Sequence, residues 1–88
     1  MYIFVLRKGP DDVGQAFPKF SEAVSAAVGI EYAEIVRANL PQHGTALYTA
    51  LFNRNLGDAR VVAVVSSGQV MVLNKQLRQA AYSCPQGH

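Results

Sequence analysis

Apolar residues in this chain fall into a few short runs, and the way each run alternates or fails to alternate sets the elements it predicts. Tyr2–Leu6 (YIFVL) is β-branched and aromatic throughout and is closed by Lys8-Gly9-Pro10, so it reads as a strand with apolar residues on both faces, typical of a central position. Helical patterning begins around Asp11, and Gly14 and Pro18 interrupt its first turns. From Pro18 onward Phe20, Ala23, Val24, Ala27 and Val28 follow the i, i+3, i+4, i+7, i+8 spacing of one helix face, with Gly29 placed for a left-handed cap. The stretch from Ile30 to Pro41 fits two patterns. Alternation groups Ile30, Tyr32, Val36, Ala38 and Leu40 and is spoiled by Glu34. Helical spacing groups Tyr32, Ile35, Val36 and Leu40, and the Ala, Glu and Arg content tips the reading to a helix ended by Pro41.

Pro41–Gly44 reads as a turn, and Thr45 is placed to cap a helix carrying Leu47, Tyr48, Leu51 and Phe52 on one side. Val61–Val65 and Val70–Leu73 then flank Ser66-Ser67-Gly68-Gln69. With Ser67-Gly68 as a two-residue turn, Val65 pairs with Val70 and Ala63 with Val72. Strict alternation gives one hairpin face of Val61, Ala63, Val65, Val70 and Val72, and another of Val62, Val64, Met71 and Leu73. Asn74 is a cap for a last helix whose Leu77, Ala80, Ala81 and Cys84 share a face. The expected fold is a single α+β domain over residues 1–88, with a small antiparallel sheet (the N-terminal strand plus the C-terminal hairpin) packed with three to four helices.

The hairpin is apolar on both faces, whereas a sheet covered on one side alternates apolar with polar. Helices of the chain cover both sides, or one face meets another molecule. Composition sharpens that alternative. Half of the 88 residues are hydrophobic and only 16% are charged, which excludes a disordered chain and is more apolar surface than a domain this small readily buries. No apolar run is long enough for a membrane span or a signal-peptide core, and one cysteine gives no intrachain disulfide and fits a reducing compartment, so the expected location is cytoplasmic.

Charge is uneven. Residues 1–34 hold three basic and five acidic side chains, and residues 35–88 hold five basic against Asp58 alone. No basic run marks a nucleic-acid footprint.

Candidate chemistry is thin. Cys84, His88 and His43 do not make a ligand set, since a metal needs three or four convergent donors, and a Cys84–His88 pair lacks a third group to orient the base. Ser66 or Ser67 with His43 and Asp58 lacks the nucleophile-elbow context. Lys8–Gly14 (KGPDDVG) has neither dinucleotide nor P-loop spacing, and Asp11 and Asp12 read instead as caps of the following helix. No cofactor, metal or catalytic residue is expected.

The expectation is therefore a non-enzymatic protein–protein interaction module whose partner is another protein or a second copy of itself. Met71 and Leu73 of the hairpin and Arg78 and Tyr82 of the last helix are its contact residues. In size and single-domain economy the chain resembles the small inhibitor and accessory proteins of bacteriophages and mobile elements, anti-CRISPR proteins among them. That resemblance implies an inhibitory or accessory role and assigns no residue. The alternative is weak nucleic-acid binding through Arg54, Arg60, Lys75 and Arg78.

Overall fold

A computed structural model describes residues 2–9, 11–39 and 58–77. Five strands form one antiparallel sheet: β1 (Tyr2–Arg7), β2 (Gln15–Phe17), β3 (Tyr32–Asn39), β4 (Asp58–Ser66) and β5 (Gln69–Val72), in spatial order β2-β1-β3-β4-β5. Among the described residues helix is limited to α1 (Phe20–Ala26) and a turn that begins at Lys75. This corrects the expected architecture. The sheet has five strands rather than three, and two of them form where helix was expected.

The larger correction is β3, read from sequence as a helix. Glu34, the residue that broke the alternation, stands opposite Arg7 in the β1–β3 register, and the Arg7 Nε lies 3.5 Å from Glu34 Oε1. A cross-strand ion pair thus occupies the one position where an apolar residue was missing. Its partner is remote in sequence, so a local pattern does not reveal it. Ala33, Ile35, Val36 and Ala38 are all buried, because β3 runs through the middle of the sheet and is packed on both faces.

The second correction is Asp11–Phe17. Asp12 does not cap a helix. Its carboxylate accepts from the Lys8 N–H at 2.9 Å and the Gly14 N–H at 3.3 Å, closing the loop that returns β2 along β1. β2 ends at Phe17, Lys19 takes the N-cap position without a side-chain capping bond, and Pro18 lies outside the helix instead of in its first turn. The spacing from Phe20 holds through Ala27, with Phe20, Ala23 and Ala27 buried. Gly29 adopts the left-handed conformation expected of it (φ +86°). Val28 leaves that face and is exposed, because the helix ends at Ala26 with Ala27 as its C-cap.

The hairpin forms in the predicted register. Val65 pairs with Val70 and Ala63 with Val72 around a turn in which Ser67 (φ +53°) and Gly68 (φ +79°) both take positive φ, as a two-residue turn of type I′ demands. Its faces differ from strict alternation. Between Ile35 and Val36 the β3–β4 register slips, so Ala63 opposes Ile35 while Val61 opposes Val36. Val62 is the extra residue of this β-bulge and joins Ala63 in the core under α1, while Val61 turns to the other face.

Two clusters result. The face under α1 holds Phe4, Leu6, Phe20, Ala23, Ala27, Ala33, Ile35, Val62, Ala63, Val65 and Val72, with the Phe4 and Phe20 rings edge-on at 5.6 Å. The opposite face holds Ile3, Val5, Val36 and Ala38, each at most 1% exposed. Asn74 caps as expected: its Oδ1 accepts from the Gln76 N–H at 2.9 Å and the Leu77 N–H at 3.2 Å. The helices expected at Thr45–Phe52 and beyond Leu77 lie outside the described residues.

The Arg7–Glu34 pair gives the first testable expectation. Both side chains are about one-fifth exposed, so the pair is only partly screened, and Arg7 Nε makes no well-formed hydrogen bond. A double-mutant cycle with Arg7→Met and Glu34→Gln should yield a coupling of about 0.5–1.5 kcal/mol by denaturant titration. Zero coupling would mean that the two charges share a register position and nothing more.

Candidate functional site

Two surfaces stand out, one on each face of the sheet. The first lies on the β3–β5 side of the face opposite α1. Register places Val64 opposite both Glu34 and Met71, with Tyr32 opposite Ser66 and Val61 opposite Val36. Leu73 follows β5 and its N–H donates to the Val62 carbonyl at 2.7 Å, which carries the strand direction one residue past the ladder. Met71 is 68% exposed, Leu73 52%, Tyr32 52% and Val61 36%. Beneath β1 and β3 the same face is closed, since Ile3, Val5, Val36 and Ala38 are buried. The open part is therefore a corner with the Arg7–Glu34 ion pair beside it.

The two-faced hairpin now has an account. On the α1 side Val62, Ala63, Val65 and Val72 are sealed. On the other side its apolar residues stay largely in solvent. Met71 and Leu73 were marked by the sequence and lie on this corner. Tyr32 and Val61 were missed, the first because β3 was read as helix and the second because the bulge was not visible. Arg78 and Tyr82 lie outside the described residues.

The second surface is at the opposite end of the α1 face, where β1, β3 and β4 run past the core. Arg37 opposes Phe4 on one side and Arg60 on the other, while Tyr2 and Asp58 flank Asn39. The Arg37 guanidinium sits 4.7 Å from the centre of the Tyr2 ring. Arg60 is largely exposed, with its Nε 3.9 Å from Asp58 Oδ1. Of the residues proposed for nucleic acid, Arg60 is here, Lys75 is exposed in the turn capped by Asn74, and Arg54 and Arg78 lie outside the described residues.

A concavity of about 440 Å³ opens beside Leu6, Lys8, Val13 and Ile30. Its carboxylate, Asp12, is engaged by loop N–H groups, and Arg7 pairs with Glu34 across the sheet, so no convergent polar set faces the space. Cys84, His43 and His88 lie outside the described residues. No helix among the described residues is long and apolar enough to cross a membrane. Comparison of the chain with protein-family models, with curated proteins and with solved structures finds no match.

Proposed function

We propose that this chain is a small, non-enzymatic protein-interaction module that docks another protein on the open corner formed by Tyr32, Val61, Met71 and Leu73. The observation that carries the reading is the exposure of Met71 and Leu73 on a face that is sealed beneath β1 and β3. Isolated exposed apolar residues are ordinary on any surface, but four on the same face at one corner of a sheet form a contact patch. Met adapts to irregular surfaces and Tyr anchors interfaces, so the composition suits a protein partner. The lone thiol of Cys84 fits a reducing compartment, and we assign the protein to the cytoplasm.

Magnitudes set the kind of complex. Met71, Leu73 and Tyr32 are only about half to two-thirds exposed, so burying what remains contributes roughly 3–5 kcal/mol gross, and lost translational, rotational and side-chain freedom offsets much of this. The corner by itself supports a weak, reversible complex.

A photo-reactive side chain placed at position 71 should crosslink to protein in concentrated solution or cell extract. The same group at Val28, equally exposed but on the α1 side, should crosslink several-fold less. Met71→Asp should weaken any association more than tenfold and change stability by less than about 0.5 kcal/mol, because it alters an exposed position. Sedimentation over a concentration series reports whether the captured partner is a second copy. Equal labelling from both positions, or unfolding of the Met71→Asp variant, sinks the proposal.

A further inference from the structure

The β3–β4 bulge has a consequence for charge. Were Val62 an ordinary ladder residue, alternation counted back from Ala63 would turn Arg60 and Asp58 toward the face that carries Val36 and Ala38. The bulge inverts the parity. Arg60 arrives directly opposite Arg37, on the face that carries Tyr2, and Asp58 arrives opposite Asn39. Keeping Arg60 away from a buried apolar cluster is one effect, and a pair of like charges facing each other across a ladder is the other. Opposed like charges destabilise a sheet, and bulges commonly re-aim side chains where a strand meets a ligand. Asp58 does little to relieve the pair, since its contact with Arg60 is long and both groups are mostly in water. Among the described residues no carboxylate pairs with Arg37, whose guanidinium lies against the Tyr2 ring.

We propose that Tyr2, Arg37 and Arg60 form a binding site for single-stranded nucleic acid, independent of the apolar corner and on the other face of the sheet. Two guanidiniums on neighbouring strands suit phosphate oxygens, which accept their N–H groups in charge-assisted bonds and remove the repulsion between them. Tyr2 is about half exposed and holds Arg37 over one side of its ring, so a base would stack on the other side. A bare anion would use the arginines alone, whereas a nucleotide chain uses all three residues. This places the basic contribution on Arg37 with Arg60, and makes Lys75 a bystander.

The test titrates the whole protein into a labelled single-stranded oligonucleotide at low salt and follows anisotropy. Arg37→Ala and Arg60→Ala should each weaken binding about tenfold, Tyr2→Ala should weaken it by a comparable factor, and Lys75→Ala should leave it unchanged. The logarithm of affinity should fall with the logarithm of salt at a slope of about −1.4 for two phosphate contacts. An abasic strand of equal length, inorganic phosphate and a mononucleotide are the competing arms, and each should bind more weakly than the base-bearing strand. Relief of the opposed charges should leave the melting temperature of Arg60→Gln unchanged or about 1–3 °C higher, which separates a ligand site from a structural pair. Lys75→Ala losing as much as Arg60→Ala, or no binding at low salt, overturns the site. Equal affinity for the abasic strand with an unaltered Tyr2→Ala variant overturns the nucleotide assignment. Neither result touches the crosslinking contrast between positions 71 and 28.

Discussion

Gly14→Ala should destabilise the protein by about 2–4 kcal/mol, the sum of a residue forced to a left-handed conformation and a methyl group driven into backbone. Gly14 has φ +82°, and a Cβ built there would stand 2.6 Å from the Leu6 carbonyl oxygen and 2.8 Å from Val5 Cγ1. Neither neighbour can step aside. The Leu6 backbone belongs to β1 between two strands, and Val5 is fully buried in the cluster with Ile3, Val36 and Ala38. The Gly14 N–H also closes the loop through Asp12, so a shift of residue 14 loosens the return of β2. For a domain of this size the loss corresponds to a fall of roughly 10–25 °C in melting temperature. Gly29→Ala is the control: its φ is also positive, but nothing lies within 4 Å of the added methyl group, so only the conformational part, about 1–2 kcal/mol, should be lost. Equal losses at the two positions would mean that the close approach to β1 does not exist.

Ile35→Ala should cost about 2–5 kcal/mol, the range for deleting a buried branched side chain and leaving a cavity. Ile35 is fully buried, stands between Leu6 on β1 and Ala63 on β4, and sits at the edge of the bulge, where the ladder is already irregular. Relaxation there is limited, because the neighbouring Ala33 and Ala63 are too small to fill the gap. Met71→Ala removes a side chain of similar size from the open corner and should cost less than about 0.5 kcal/mol. Denaturant midpoints of the two variants report the contrast directly. A costly Met71→Ala with a mild Ile35→Ala would reverse the inside and outside of the sheet.

These contrasts bear on how the two surfaces coexist. The apolar corner and the arginine pair share β3 and β4 on opposite faces of the sheet, and β5 adds Met71 to the corner, with Leu73 just after it. The bulge at Val62 connects them. It sends Val61 out to the corner and Arg60 to the Arg37 face in a single step. Changing the bulge would disturb both surfaces together, while Met71→Asp and Arg60→Ala each alter one.

Part of this was legible in the chain alone, and the legible parts are local. The Ser67-Gly68 turn, the Asn74 cap and the left-handed Gly29 depend on the conformation of a few adjacent residues, which the sequence specifies directly. The apolar run of β1 announced a strand with both faces packed, and Met71 and Leu73 were marked as more oil than a hairpin needs. The strand character of residues 32–39 was not legible, because Glu34 breaks the alternation unless Arg7 is known to lie across from it. Asp12 reads locally as a helix cap, because a carboxylate that closes a strand-to-strand loop has the same local spelling.

What the sequence determined by itself is thus the set of short-range choices: where the chain makes its tight turn, which glycine turns left-handed, and which stretches must be apolar. The tertiary structure alone decided which apolar side chains are sealed and which charges meet. Both depend on strand register, and register is set by pairing between segments far apart in the chain. One extra residue, Val62, reverses the facing of everything before it on β4. No pattern within that strand records the reversal, since valine fits either face equally well.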